Sequence, residues 1–134
     1  MIRKVKSHEI PKITEILTEN FKTKITADPY VNYVVYEDTV LKGILSYSFI
    51  YDRMELNYIW VETFYRRQGI GMELLQYLHE IAYENHVHNI SLEVACDNEA
   101  AIHLYEKLGY KKVALREKYY HGIDGILMVK EMIK

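Results

Sequence analysis

Asn89-Ile90-Ser91-Leu92-Glu93-Val94-Ala95 alternates polar and apolar residues, and Asp97-Asn98-Glu99-Ala100-Ala101-Ile102-His103-Leu104-Tyr105-Glu106-Lys107-Leu108-Gly109-Tyr110 then recurs every three to four. A change from period two to period 3.6 marks a strand handing over to a helix. Asn98 stands where a helix needs a side-chain oxygen to accept an unpaired N–H of its first turn. Ala101, Leu104, Tyr105 and Leu108 form the expected inner face, and Gly109 is a natural residue to end on.

Outward from this segment the same two periods alternate. Upstream, residues 71–85 place Leu74, Leu75, Leu78, Ile81 and Ala82 on one stripe, as in a helix lying against a sheet. Before it, Val31 to Glu37 and Val40 to Tyr51 are rich in β-branched and aromatic residues and meet at a polar turn near Asp38. A break at Asp52-Arg53 leads into Glu55 to Val61, which predicts an antiparallel meander of three strands. Residues 2–6 read as a short strand. Ile10, Ile13, Leu17 and Phe21 then recur at helical spacing, with Ser7 or Glu9 as the entry signal and Pro11 confined to the first turn. Residues 22–29 read as loop. Downstream, Tyr110 to Tyr119 and Ile126 to Ile133 read as two closing strands. The order β-α-β-β-β-α-β-α-β-β describes an α/β fold with a mixed, mostly antiparallel central sheet and helices on both faces. No repeat, linker or low-complexity stretch interrupts it, so residues 1–134 read as a single domain.

Composition removes several classes of function. Seventeen Lys and Arg against nineteen Asp and Glu leave a formal charge of −2, which gives no field to hold a nucleic-acid backbone or an anionic membrane. The lone Cys96 excludes an internal disulfide, and its expected state is a small buried thiol. His86 and His88 have no cysteine or carboxylate at ligand spacing, so no metal site is expected. No apolar run approaches the length of a membrane span, and no h-region follows the first residues, so the expected location is the cytoplasm. Thirteen tyrosines place a polar tip on much of the apolar surface, and most are expected to fill the sheet with their hydroxyls outward.

Two stretches carry chemistry. Arg66-Arg67-Gln68-Gly69-Ile70-Gly71 lies between a strand and a helix, where two glycines let the backbone turn tightly and aim N–H groups at one point. The helix that follows adds its unpaired N–H groups and the positive end of its dipole, which suits a phosphate or pyrophosphate. The stretch lacks the Lys-Ser/Thr ending of a P-loop and the third glycine of a dinucleotide fold. Read on its residues alone it is also a plain strand-to-helix turn. On the same footing Glu93 is a strand-end surface carboxylate and Tyr105 a packed core ring.

Together, this loop and the stretch from Leu92 to Tyr110 resemble the GNAT superfamily of acyl-CoA N-acyltransferases, and the element order agrees over nearly the whole chain. Within it the C-terminal half is similar to the family of bacterial ribosomal-protein-alanine N-acetyltransferases. That family shows Leu-Glu-Val, an Asn, Leu-Tyr, and Gly before an aromatic residue, as here, and ends on features matched by Tyr119-Tyr120, Asp124 and Met128. The resemblance implies direct acetyl transfer from acetyl-CoA to an amine, with Glu93 as proton acceptor and Tyr105 as proton donor. It implies acetyl-CoA contacts at Ile59, Trp60, Val61, Arg66, Arg67, Gln68, Gly69, Ile70, Gly71, Met72 and Asn98, and acceptor contacts at Tyr119 and Tyr120. The implied acceptor is a protein or peptide N-terminus; a small amine, or a binding module without catalysis, are the alternatives. Monomer and homodimer are both compatible with it. The chain departs from the family at Ala95, where Arg is usual, and at Asp97, where Ser is common. Lys24-Ile25-Thr26-Ala27-Asp28-Pro29 replaces the family's Pro-Trp-Ser stretch.

Overall fold

Seven strands and three helices follow one another in the expected order: β1 (Ile2–Lys4), α1 (Ile10–Phe21), β2 (Val31–Glu37), β3 (Leu41–Ile50), β4 (Arg53–Val61), α2 (Ile70–Glu84), β5 (Asn89–Ala95), α3 (Glu99–Lys107), β6 (Lys111–Tyr120) and β7 (Ile123–Glu131). This computed structural model describes residues 1–120 and 122–132; the side chains of residues 118–120 lie outside the described residues. The strands take the order β1-β2-β3-β4-β5-β7-β6, a mixed sheet in which β4 and β5 run parallel. Two compact units share β4, one made of residues 1–49 and 56–81 and the other of residues 50–55 and 82–134.

In the first unit, β1 pairs antiparallel with β2 (Arg3↔Val35) and β2 with β3 (Val34↔Leu45), with a shift of register at Tyr36/Glu37. Helix α1 covers this sheet: Ile13 and Leu17 join Tyr33 and Val35 of β2, Ile44 of β3 and Trp60 of β4 in one buried cluster. The helix begins where the sequence suggests. A 3₁₀ turn at Ser7–Glu9 precedes it, the Glu9 carboxylate accepts the Lys6 N–H, and Pro11 occupies the first turn, where its missing N–H costs nothing. Glu9 also takes both Nη groups of Arg3, at 2.8 and 2.7 Å, and is held down to about 2 by that pairing.

In the second unit, β5 alternates strictly: Ile90, Leu92 and Val94 are buried, while Ser91, Glu93 and Ala95 take the other side. Its start pairs parallel with that of β4 (Met54↔Ile90), and its whole length pairs antiparallel with β7, Leu92 opposite Met128 and Glu93 opposite Leu127. β7 in turn pairs with β6, with an unpaired residue at Val113 between Lys112↔Met128 and Ala114↔Leu127. β7 starts at Ile123 rather than at the expected Ile126, so Gly125 lies inside the strand. Helix α3 buries Ile102 and Tyr105; Leu104, expected on the inner face, is only half-buried. It ends in a Schellman arrangement at Gly109 (φ 98°): the Tyr110 N–H returns to the Tyr105 carbonyl and the Gly109 N–H to that of Glu106. The Tyr105 and Tyr110 rings meet edge to face at 5.6 Å across this turn, and Lys130 Nζ donates to the Leu108 carbonyl at 2.7 Å.

Leu17 is fully buried and central to the first unit's cluster. Leu17→Ala should therefore lower unfolding stability by about 2–5 kcal/mol, the usual range for a leucine whose site cannot collapse. Urea titration should show a lower midpoint at unchanged slope.

Candidate active site

In the first unit the strand-to-helix connection is built for tight backbone geometry. After β4 the chain makes a 3₁₀ turn at Thr63–Tyr65, and Arg67 (φ 64°) and Gly69 (φ 81°) then adopt left-handed conformations. For a non-glycine such as Arg67 this costs roughly 1–2 kcal/mol and persists only where the surroundings impose it. They do so here. Arg66 Nε donates to the Val61 carbonyl at 2.9 Å, the Glu62 N–H to the Lys42 carbonyl, and the Lys42 ammonium lies 4.8 Å from the centre of the Tyr65 ring. The Gly69 carbonyl accepts the first helical bond of α2, from Glu73, so Gly69 is the N-cap. A glycine cap brings no side chain, and the N–H groups of Ile70, Gly71 and Met72 have no partner within the helix. Gly71 faces Val61, whose Cγ2 would stand 3.8 Å from an added Cβ, an ordinary contact.

Of the β4 residues, Ile59 and Val61 are half-buried, whereas the Trp60 side chain belongs to the core cluster. Arg66, Arg67, Gln68 and Gly69 are exposed, Ile70 is buried, and Gly71 and Met72 are half-buried.

In the second unit Glu93 lies on the side of β5 opposite to the buried Leu92, with its side chain only 17% exposed. Arg116 Nε forms an ion pair with its Oε1 at 2.9 Å. Its Oε2 is buried and has no hydrogen-bond partner among the described residues. Burial pushes the carboxyl above its ordinary range; the Arg116 charge opposes this and Glu55 adds to it. Tyr105 is buried on α3 and is pushed up to about 12 by loss of solvent. Asn98 Oδ1 accepts the Ala101 N–H at 3.3 Å, so Asn98 caps α3 as its position suggests.

Cys96 corrects one expectation: it is exposed, one residue beyond β5, with its N–H bonded to the Asp124 carbonyl. The side chains of Tyr119 and Tyr120 lie outside the described residues; the Tyr120 backbone pairs with Ile123. Arg116 was not singled out by the sequence, because its partner is on a strand two places away in the sheet. Among the described residues no cluster of His, Cys, Asp and Glu is suited to a metal, and no helix is long and apolar enough to cross a membrane.

Comparison with known proteins adds an independent line. Residues 4–110 match the sequence model of the acetyltransferase (GNAT) family. The [ribosomal protein bS18]-alanine N-acetyltransferase of Escherichia coli K12 is 33% identical over 96 residues, which span 72% of this chain and 65% of that relative. The match thus extends over less than two thirds of the relative's length. An uncharacterised N-acetyltransferase of Methanocaldococcus jannaschii is 31% identical, with 98% of this chain and 91% of that one covered. The crystal structure of the ribosomal-protein-S18-alanine N-acetyltransferase from Escherichia coli superposes with a TM-score of 0.85 at 23% identity, over 100% of this chain and 94% of that one, which is agreement in fold.

The buried phenols of Tyr105 and Tyr110 are both pushed up by burial, Tyr105 to about 12. A tyrosine in the unfolded chain titrates near 10. The unfolded state therefore loses these protons first, and stability present below pH 10 should fall as pH rises toward about 12. Urea denaturation from pH 9 to 11.5 should show this decline, and Tyr105→Phe should flatten it.

Proposed function

The chain belongs to the acetyltransferase (GNAT) family, and from that premise we propose that residues 1–134 act as a single acetyl-CoA-dependent N-acetyltransferase domain whose acceptor is the α-amine of a protein or peptide N-terminus. The observation that carries this reading is the Glu93 carboxylate, held through Oε1 by Arg116 with Oε2 buried and unpartnered among the described residues. A strand-end surface carboxylate would be solvated on both oxygens. One with a withdrawn, unengaged oxygen and a raised pKa is suited to receive a proton.

Acetyl-CoA supplies the acyl group already activated as a thioester. The donors to hold it fit: the glycine-capped start of α2 presents unpaired N–H groups and the dipole's positive end to a pyrophosphate. In this reading the backbone of residues 67–72 takes the pyrophosphate. Ile59, Trp60 and Val61 offer backbone groups to the acyl portion, with a strand N–H to steady the oxyanion. Asn98 adds a further contact, and Tyr119 and Tyr120 steady the acceptor's backbone. The amine nitrogen bonds to the acyl carbon, the carbon–sulfur bond breaks, and Glu93 takes the proton the nitrogen loses. Tyr105 remains a phenol at every working pH and donates to the departing sulfur. Burial pushes this phenol well above the range of a thiol, so complete proton transfer to the departing thiolate is uphill and its hydrogen bond carries most of its effect.

Amine acidity favours the α-amino acceptor. Near pKa 7.7–8.0 roughly a tenth of it is neutral at pH 7, against a few parts in ten thousand for a lysine ε-amine near 10.4. One modest carboxylate base suffices for the former. The name of the Escherichia coli relative, an alanine N-acetyltransferase, supports the same acceptor.

Thiol release from acetyl-CoA, measured against peptides with different N-terminal residues and against spermidine, free amino acids and an aminoglycoside, tests the acceptor. Peptides should lead in kcat/KM by tenfold or more. A lead by a small amine would overturn the peptide assignment, and binding of acetyl-CoA with no turnover on any acceptor would overturn catalysis. Glu93→Gln should lower kcat by about 10²–10⁴, the usual worth of a general base, at near-constant acetyl-CoA affinity. Tyr105→Phe should cost less.

Gly69→Val tests the loop. A β-branched residue cannot adopt φ 81° without strain, and the backbone must shift. Losing one charge-assisted bond costs about 1.5–3 kcal/mol, so CoA affinity should fall more than tenfold by calorimetry. Gly71→Ala, whose added methyl finds room, should fall less.

A further inference from the structure

We propose that Arg116 is the positioning residue for Glu93: it holds Oε1 so that Oε2 is the atom that takes the proton. The proposal rests on the acetyl-transfer reading above. The register shows how the contact arises. β5 pairs with β7 as Glu93↔Leu127 and Ala95↔Gly125, and β6 pairs with β7 as Arg116↔Gly125. Opposed residues share a face, as do residues two apart, so Glu93, Ala95, Gly125, Leu127 and Arg116 lie on one face of the sheet.

Arg116 must cross β7 to reach β5, about 9.5 Å at the usual strand spacing. It crosses where β7 presents Gly125, which has no side chain, and reaches a carboxylate flanked by Ala95, the smallest chiral residue. The ion pair runs from Nε to Oε1 at 2.9 Å, and Oε2 has no hydrogen-bond partner among the described residues. A fork would engage both oxygens; a one-sided ion pair draws Oε1 toward the guanidinium and leaves Oε2 to the substrate. Arginine does not release its proton at working pH, so it orients the base without competing as an acid. Among the described residues the charges acting on Glu93 are Arg116 from β6, which favours the carboxylate, and Glu55 from β4, which opposes it.

The test uses the full chain with ¹³C-carboxyl glutamate, Glu93 being assigned by its absence in Glu93→Gln. In Arg116→Gln the Glu93 midpoint should rise and the acid limb of kcat/KM should move up with it, by about half to one pH unit for a half-exposed guanidinium. Below that limb the rate should fall about three- to tenfold, with acetyl-CoA KM unchanged. Arg116→Lys should restore most of the midpoint but not the full kcat, because the charge returns without the planar guanidinium that holds Oε1. If Arg116→Gln fails to fold, Arg116→Lys carries the test through that split. A lower melting temperature with an unmoved limb would make Arg116 merely structural and overturn the proposal. An unmoved midpoint in folded Arg116→Gln beside an inactive Glu93→Gln overturns the role of Arg116 alone. A fully active Glu93→Gln overturns the base assignment and this proposal with it.

Discussion

The register of β5 against β7 is the constraint from which the second unit's chemistry follows. Leu92 faces Met128 and both are buried; Glu93 faces Leu127 on the other side. Because side chains alternate with period two, a slip of one residue would carry the carboxylate into the core and expel the leucine. Two side chains buried at roughly 1.5–3 kcal/mol each therefore fix where the carboxylate stands before any electrostatic term enters. The raised pKa of Glu93 is a consequence of that placement. Its partner Arg116 only moderates it.

Helices α2 and α3 meet the same problem in opposite ways. Helix α3 opens on Asn98, whose own oxygen satisfies a first-turn N–H, and closes on a Schellman turn reinforced by Lys130. Its closing turn bonds the Tyr105 carbonyl and sets the Tyr110 ring against that of Tyr105. Helix α2 opens on a glycine with no side chain to offer, after a connection held in left-handed backbone by bonds from Arg66 and Glu62. A helix start whose cap brings no side chain is a place where a negatively charged group gains the bonds that a serine or aspartate would otherwise supply.

What the sequence made legible was whatever is local. The period change between Ala95 and Asn98, the glycine after Leu108 and the proline in the first turn of α1 each have a mechanism within a few residues, and each stands as read. The misread parts depend on partners distant in the chain. The closing strand reads from Ile126 in the sequence, yet β7 begins at Ile123 and runs through Gly125 because β5 and β6 both pair there. Cys96 was expected inside, but the strand ends one residue before it. That the Trp60 ring belongs to the core cluster likewise depends on α1, β2 and β3, which pack against it from elsewhere in the chain. The pairing of Arg116 with Glu93 has no local signal at all: 23 positions and an intervening strand separate them, and only the folded register brings them to 2.9 Å.

The outer strands have a consequence of another kind. A strand at the end of a sheet exposes a row of unpaired backbone groups that a second chain can join. β1 limits the exposure by being three residues long. β6 is long and carries exposed Val113 and Leu115, which would invite addition, but it opens on Lys111 and Lys112 and is bent by the extra residue at Val113. Charge and curvature together make this edge a poor template for further β-structure, so the strand that carries Arg116 can lie at the margin of the sheet without seeding aggregation.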